Sequence, residues 1–300
     1  MTSGDDSGWI KAMPAVFVLI WSTGFIVARF GMPLSPPMKF LALRYALSIL
    51  CFLPWIVLAR VAWPQARAQW LHLGVTGILM HACYLGGVWA AVKAGMGSGL
   101  AALIVGLQPV LTAFWLSSRG GRVTQRQWLG LALGFAGLVM VVSRKFGMGG
   151  EANWLNLSLA VGALFGITIG TLYQKRFVAP CDVRTANAVQ LGAALLVTLP
   201  LTLLEAEPVQ WNAELAGAMA WSVLALTLGG SSLLYLLIQR GAAASVTSLM
   251  YLVPPVTAVI AWLLFSEPIS ALTIAGILLT ALGVALVVRP ARPAPRSGAV

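Results

Sequence analysis

Gly130-Leu131-Ala132-Leu133-Gly134-Phe135-Ala136-Gly137 and Gly276-Ile277-Leu278-Leu279-Thr280-Ala281-Leu282-Gly283 are uncharged stretches whose outer glycines coincide when the chain is laid on itself at an offset of 146 residues. Four more pairs fall at that offset: Gly24 with Gly170, Pro54 with Pro200, Gly95 with Gly241, and Pro109 with Pro255. Residues that fix backbone geometry recur in this way when one structural unit is present twice. The match loosens between these points, since Pro64 and Pro208 lie 144 apart and Gly86 and Gly87 face Ser232 and Leu233. Loop lengths have drifted between the two copies.

The chain is 59% hydrophobic and 9% charged, far from the composition of a soluble globular domain and typical of a polytopic membrane protein. Crossing ~30 Å of hydrocarbon takes about 18 to 25 apolar residues as helix. Ten such spans are predicted: Ala12–Phe30, Phe40–Ala59, Trp70–Val92, Gly97–Ser118, Gln127–Ser143, Trp154–Gln174, Ala186–Leu204, Ala213–Ile238, Ala243–Phe265 and Ala271–Val288. They must be helices, because an open strand edge in lipid leaves backbone amides unpaired. The expected organisation is an N-terminal segment 1–11, a first five-helix repeat over 12–143, a loop over 144–153, a second repeat over 154–288 and a basic tail over 289–300.

Eleven residues precede the first span, Asp5 and Asp6 among them, which is not the basic start of a cleaved signal peptide. Cys51, Cys83 and Cys181 are scattered and give neither a disulfide framework nor metal-ligand spacing, so no metal or cofactor is expected. The net charge of +11 is spread over short loops and the tail, which argues for membrane orientation and against a nucleic-acid partner. With the N-terminus inside, thirteen of the nineteen Lys and Arg fall on the cytoplasmic side. The opposite side holds Arg29, Lys39, Arg44, Lys93, Arg144 and Lys145 together with Glu205, Glu207, Glu214 and Glu267. The positive-inside rule therefore predicts a plasma (inner) membrane protein with both termini cytoplasmic.

Five spans per repeat means that the second copy enters the membrane from the opposite side. Inverted repeats commonly hold a substrate site near the midplane and work by alternating access, so the pattern points to a transporter. The sequence resembles the drug/metabolite transporter superfamily in its EamA-type branch of ten-helix exporters. The resemblance covers nearly the whole chain and rests on Leu19-Ile20-Trp21-Ser22-Thr23-Gly24-Phe25, Arg44-Tyr45, the small-residue helix starts before Pro109 and Pro255, Phe265-Ser266-Glu267-Pro268, and Gly276 with Gly283. Gly121 stands where the second repeat has Glu267. Within that branch the chain is most like exporters of aromatic amino acids. The resemblance implies helices arranged around a central cavity lined by spans one, three, four, six, eight and nine, with the fifth and tenth peripheral.

Every acidic residue lies in a terminus or a loop, which weighs against proton or sodium coupling and against a cationic substrate. A facilitator of a neutral or zwitterionic solute fits better. His81, with Tyr84 one turn on, offers either hydrogen bonds to a substrate or a tie to a neighbouring helix. Trp21, beside Ser22 and Thr23, sits mid-span, whereas Trp9, Trp63, Trp70, Trp128, Trp154 and Trp211 fall at span ends in interfacial belts. It either stacks on an aromatic solute or packs against lipid.

Gln108 precedes Pro109, and Pro254 with Pro255 occupies the equivalent place, predicting bends that act as gates or as passive kinks. Ser231 with Tyr235, and Ser245, Ser248 and Tyr251, make polar stripes on the eighth and ninth spans. Arg29, Lys39 and Arg44 could attract a carboxylate, but read better as snorkelling anchors at the membrane face. The substrate-binding set is therefore Trp21, Ser22, Thr23, His81, Tyr84, Gln108, Ser231, Tyr235, Ser248 and Tyr251. Two alternatives were weighed: a carrier of phosphorylated or nucleotide-sugar metabolites, which wants central basic groups, and a membrane-embedded lipid-modifying enzyme, which wants denser acidic residues than Glu205 and Glu207. No P-loop is present, and the sequence leaves monomer or dimer open.

Overall fold

The computed structural model describes residues 6–118, 124–145, 151–230, 233, 252–267 and 270–288. Among these, the chain is helical throughout its spans: α1 (Asp6–Gly31), α2 (Pro37–Leu58), α3 (Arg67–Lys93), α4 (Ser98–Val105 and Gln108–Ser118), α5 (Gln125–Lys145), α6 (Trp154–Phe177), α7 (Val183–Leu201), α8 (Ala213–Gly230), α9 (Val253–Phe265) and α10 (Ala271–Val288). Seven are long and apolar enough to cross a membrane, and Ala15–Gly31, Val253–Phe265 and Ala271–Leu286 are shorter apolar helices. Together they are the ten spans the hydropathy requires. Large side chains such as Leu58, Leu203 and Leu204 remain exposed, as expected of a surface that meets lipid.

The two repeats run in opposite directions. Glu205, just past α7, accepts hydrogen bonds from the Met38 and Lys39 amides at the start of α2, at 2.8 and 2.9 Å. Since α2 and α7 are equivalent under the 146-residue offset, an end meeting a start makes them antiparallel. The same end of the bundle holds Asn156, which caps the beginning of α6 with Asn153 and donates to the Ala94 carbonyl beyond α3. It also holds Glu267, which the left-handed Ser266 (φ 54°) turns onto the first amides of α4, Ser98 at 2.9 Å and Gly99 at 3.4 Å. Carboxylates at helix starts satisfy amides that have no partner within the helix and favour the positive end of its dipole. Lys93 pairs with Glu207 at 2.5 Å, and Gln210 donates to the Leu34 carbonyl at 2.8 Å.

Helix packing obeys the same exchange of halves. α5 lies along α10, α2 along α7 and α4 along α9, each helix against its own equivalent. Contacts of α1 with α8 and α9 are matched by contacts of α6 with α3 and α4. At the α5–α10 seam a Cβ on Gly137 would stand 2.5 Å from the Gly276 carbonyl, and one on Gly276 would stand 2.8 Å from the Gly137 carbonyl. Gly283 meets Gly130 and Gly134 in the mirrored way. Between these contacts the Thr280 hydroxyl donates to the Gly276 carbonyl of its own helix at 2.9 Å and lies 3.4 Å from the Gly134 carbonyl, one repeat length away in sequence. The pseudo-two-fold axis passes there. Small residues are what permit this approach in lipid, where van der Waals packing replaces the hydrophobic effect as the force between helices.

The expected bend at Pro109 takes the form of a break. α4 is interrupted at Gly106–Leu107, two residues ahead of Pro109, and a Cβ on Gly106 would meet the Pro254 ring at 2.8 Å. Pro109 thus opens the second segment of α4, where its missing amide is tolerated. Pro254 and Pro255 stand at the start of the described part of α9, and the earlier part of the expected ninth span, with any bend there, lies outside the described residues.

Gly283→Val places a branched side chain against backbone that cannot move aside, and is expected to destabilise the protein by about 1–3 kcal/mol or more in thermal unfolding in detergent. Gly192→Ala, with nothing within 4 Å of the new methyl, is expected to leave the midpoint unchanged or raise it.

Candidate functional site

Midway along α3 the helix widens to i→i+5 hydrogen bonding over Ile78–Cys83, and α8 does so over Ser222–Gly230. The offset carries the first stretch into the second, so the two π segments are equivalent features of the two repeats. Such widenings insert a residue into a helix at the expense of regular packing and occur frequently at functional sites. Each faces a glycine of the neighbouring helix, closely so in the first repeat. A Cβ on Gly170 of α6 would press on Met80 at 2.6 Å, and one on Gly24 of α1 would reach Leu226 at 3.8 Å. Gly24 and Gly170 are equivalents, as are Met80 and Leu226.

Each π segment is also held by a polar side chain from the opposite half. Arg44 of α2 donates through Nε and Nη2 to the Thr227 hydroxyl of α8, at 3.3 and 3.2 Å. Gln190 of α7 sets its side chain beside His81 of α3, within reach of a polar contact. Arg44 is the equivalent of Gln190, and His81 of Thr227. The Tyr45 hydroxyl adds a bond to the His81 carbonyl at 2.8 Å, and its ring meets the imidazole edge-on at 5.9 Å. Where α3 approaches α7, a Cβ on Gly77 would overlap the Gln190 backbone, so these helices touch main chain to main chain.

Arg44 is 8% exposed and lies about 10 Å along α2 from its start, so it is not an interfacial anchor. Its fork is turned inward to α8, which corrects the snorkelling reading. A charge at membrane depth costs about 2.5 to 3.5 kcal/mol on insertion scales and is ordinarily paired. One turn further along α2, Ser48 is fully buried with its hydroxyl unpartnered, and Ser222, at the start of the α8 π segment, is in the same state. The α3 segment Ile78–Cys83 contains no fully buried residue.

The other sequence-expected residues fall elsewhere. Tyr84 is buried beside His81, within electrostatic reach of Arg44. Trp21 is half-buried, packs on Phe17 at 5.3 Å between centroids, and stands beside Gly230. Ser22 is fully buried, gives its hydroxyl to the Val18 carbonyl at 2.7 Å and receives Thr257 of α9 on its own carbonyl. It is part of the α1–α9 seam and has no group left to offer a solute. Thr23 is engaged by the Ile20 carbonyl and by the Trp221 indole N–H at 2.9 Å. Gln108 donates to Thr171 of α6 at 2.9 Å. The structure thus distributes the described members of the set over the α1–α8 and α1–α9 seams, the middle of α3 and the α4–α6 seam. Ser231, Tyr235, Ser248 and Tyr251 lie outside the described residues.

The sequence profile of the EamA-like transporter family matches residues 9–143 and 154–289. The chain belongs to the EamA-like transporter family. Among its relatives are an uncharacterized transporter of Bacillus subtilis, YvbV, 26% identical over 280 residues that cover 91% of this chain and 89% of the relative. The uncharacterized inner membrane transporter YedA of Escherichia coli K12 is 28% identical over 254 residues, 82% of this chain and 80% of its own. A probable amino-acid metabolite efflux pump of Escherichia coli K12 is 24% identical over 184 residues, 61% of this chain and 59% of that protein. A solved crystal structure has the same fold, with a TM-score of 0.64 at 18% identity over 92% of this chain and 95% of that one. This EamA-type chain is therefore a multi-pass membrane transporter.

Tyr45, Gln190, Thr227 and the π segments were missed in the sequence, and Arg44 was misplaced. The signal was present in the offset, which sets Arg44 over Gln190 and His81 over Thr227, polar pairs within otherwise apolar helices. Tyr45→Phe leaves the His81 carbonyl without its partner, and is expected to cost about 1–2 kcal/mol in thermal unfolding and to speed hydrogen exchange in Ile78–Cys83. Unaltered exchange there would show that the hydroxyl does not hold the π turn.

Proposed function

We propose that this transporter exports amino acids, aromatic or otherwise neutral and hydrophobic, or closely related metabolites, by alternating access across the plasma (inner) membrane with both termini in the cytoplasm. The observation that carries the reading is the pair of equivalent π segments at mid-bundle, each held by a polar side chain from the opposite half. Two oppositely oriented halves gripping each other at the same depth are suited to rocking about a central site. His81 and Tyr84 bring neutral hydrogen-bonding groups to that depth, and Trp21 brings an aromatic face. The name of the amino-acid metabolite efflux pump relatives supports the solute class.

All eight acidic residues stand at helix ends or in loops, so the mechanism favoured is facilitation down the solute's own gradient. In proteoliposomes given a panel of amino acids, phenylalanine flux is expected to fall about 10-fold or more in His81→Ala or Trp21→Ala, with folded protein retained. Full flux in both variants would remove these side chains from the site. Uptake that follows an imposed proton gradient with no solute gradient would overturn facilitation.

A further inference from the structure

We propose that Arg44 is an anion site whose counter-charge is the carboxylate of the transported solute. The first observation is that the guanidinium is buried and turned inward, with the neutral Thr227 hydroxyl as its hydrogen-bond partner among the described residues. The second is that among the described residues no carboxylate is given to it. Glu205 and Glu267 cap the starts of α2 and α4, Glu207 pairs with Lys93, Asp182 pairs with Arg184, and the other acidic residues also stand at helix ends or termini. A buried cation that lacks an acidic partner in its own chain is completed by an anion from elsewhere.

The third observation comes from the other half of the molecule. Gln190 occupies the equivalent place on α7 and makes the equivalent tie, to His81, with a neutral side chain. Holding a π segment from the opposite half therefore needs a hydrogen-bond donor and no charge. The charge on Arg44 is surplus to that mechanical role. A planar fork with five donors, two of whose nitrogens are placed on Thr227, is matched in geometry to a carboxylate. The unpartnered Ser48 hydroxyl lies one turn along α2 on the same face, and the neighbouring segment Ile78–Cys83 of α3 is only partly buried. A zwitterionic solute would bring its carboxylate here, next to the His81 and Tyr84 side of α3.

The proposal rests on the transport reading above only in the choice of an aromatic acid as probe. Purified protein in detergent is titrated with phenylacetate and with phenylacetamide, and binding is read from thermal protection. Wild type is expected to be protected by phenylacetate and not by the amide. Arg44→Gln installs the side chain that the second repeat already uses. It is expected to keep the wild-type unfolding midpoint and to weaken phenylacetate at least ~10-fold. Arg44→Lys keeps the charge and is expected to retain the preference for the acid over the amide, which supplies the test should Arg44→Gln fail to fold. Equal protection by acid and amide in wild type, no protection by either, or an undiminished phenylacetate response in Arg44→Gln would each overturn the proposal. Phenylalanine flux in liposomes separates the two readings. Arg44-dependent phenylacetate binding without phenylalanine flux retains the anion site and removes the amino-acid solute, whereas phenylalanine flux undiminished in Arg44→Gln does the reverse.

Discussion

A polar group in hydrocarbon has no water to fall back on, and this constraint shapes the molecule at every scale. It makes each span a helix. It brings carboxylates to the starts of α2 and α4, where amides would otherwise be bare, and sets Asn153 and Asn156 at the start of α6. At mid-bundle, where two helices widen and their carbonyls and side chains lose regular partners, it draws in Tyr45, Arg44 and Gln190 from neighbouring helices. The features that hold the fold and those that mark the site answer the same demand.

Internal symmetry separates what the scaffold needs from what the function adds. Features that recur in both halves, such as Gly24 with Gly170, the π segments, and the crossed glycines of α5 and α10, belong to the packing the halves share. Features present once call for a separate cause. Histidine faces threonine and arginine faces glutamine across the offset, so the polarity of these places is common while their chemistry is not. Asymmetry of that kind makes the two halves chemically distinct at the same depth although their backbones match.

Much of this was legible in the sequence. Uncharged runs of sufficient length gave the ten spans, and the spacing of glycine and proline gave the repeat, because both depend on local residue chemistry. The interruption of α4 falls at Gly106–Leu107, within the turn before Pro109 where a missing proline amide frees a carbonyl, and the close packing of Gly106 on Pro254 of another helix is the part that the sequence did not show. Ser22 looked like a free hydroxyl in a polar patch, but serine in a helix can turn back onto the carbonyl four residues earlier, and here it does. The π segments have no compositional signature at all. Arg44 was misplaced because its distance from the span end permitted snorkelling, and only the position of α8 decides which way it turns.

The contact between Thr280 and Gly134 has a consequence for how such a chain can arise. On the axis a residue faces its own equivalent, so two identical halves would set glycine against glycine, leaving a gap, or threonine against threonine, forcing the helices apart. Joined in one polypeptide, the two positions are free to differ, and a hydroxyl can rest on a bare α-carbon's carbonyl. Fusion of the copies thus removes a packing penalty that a homodimer of either half alone would have to carry at its centre.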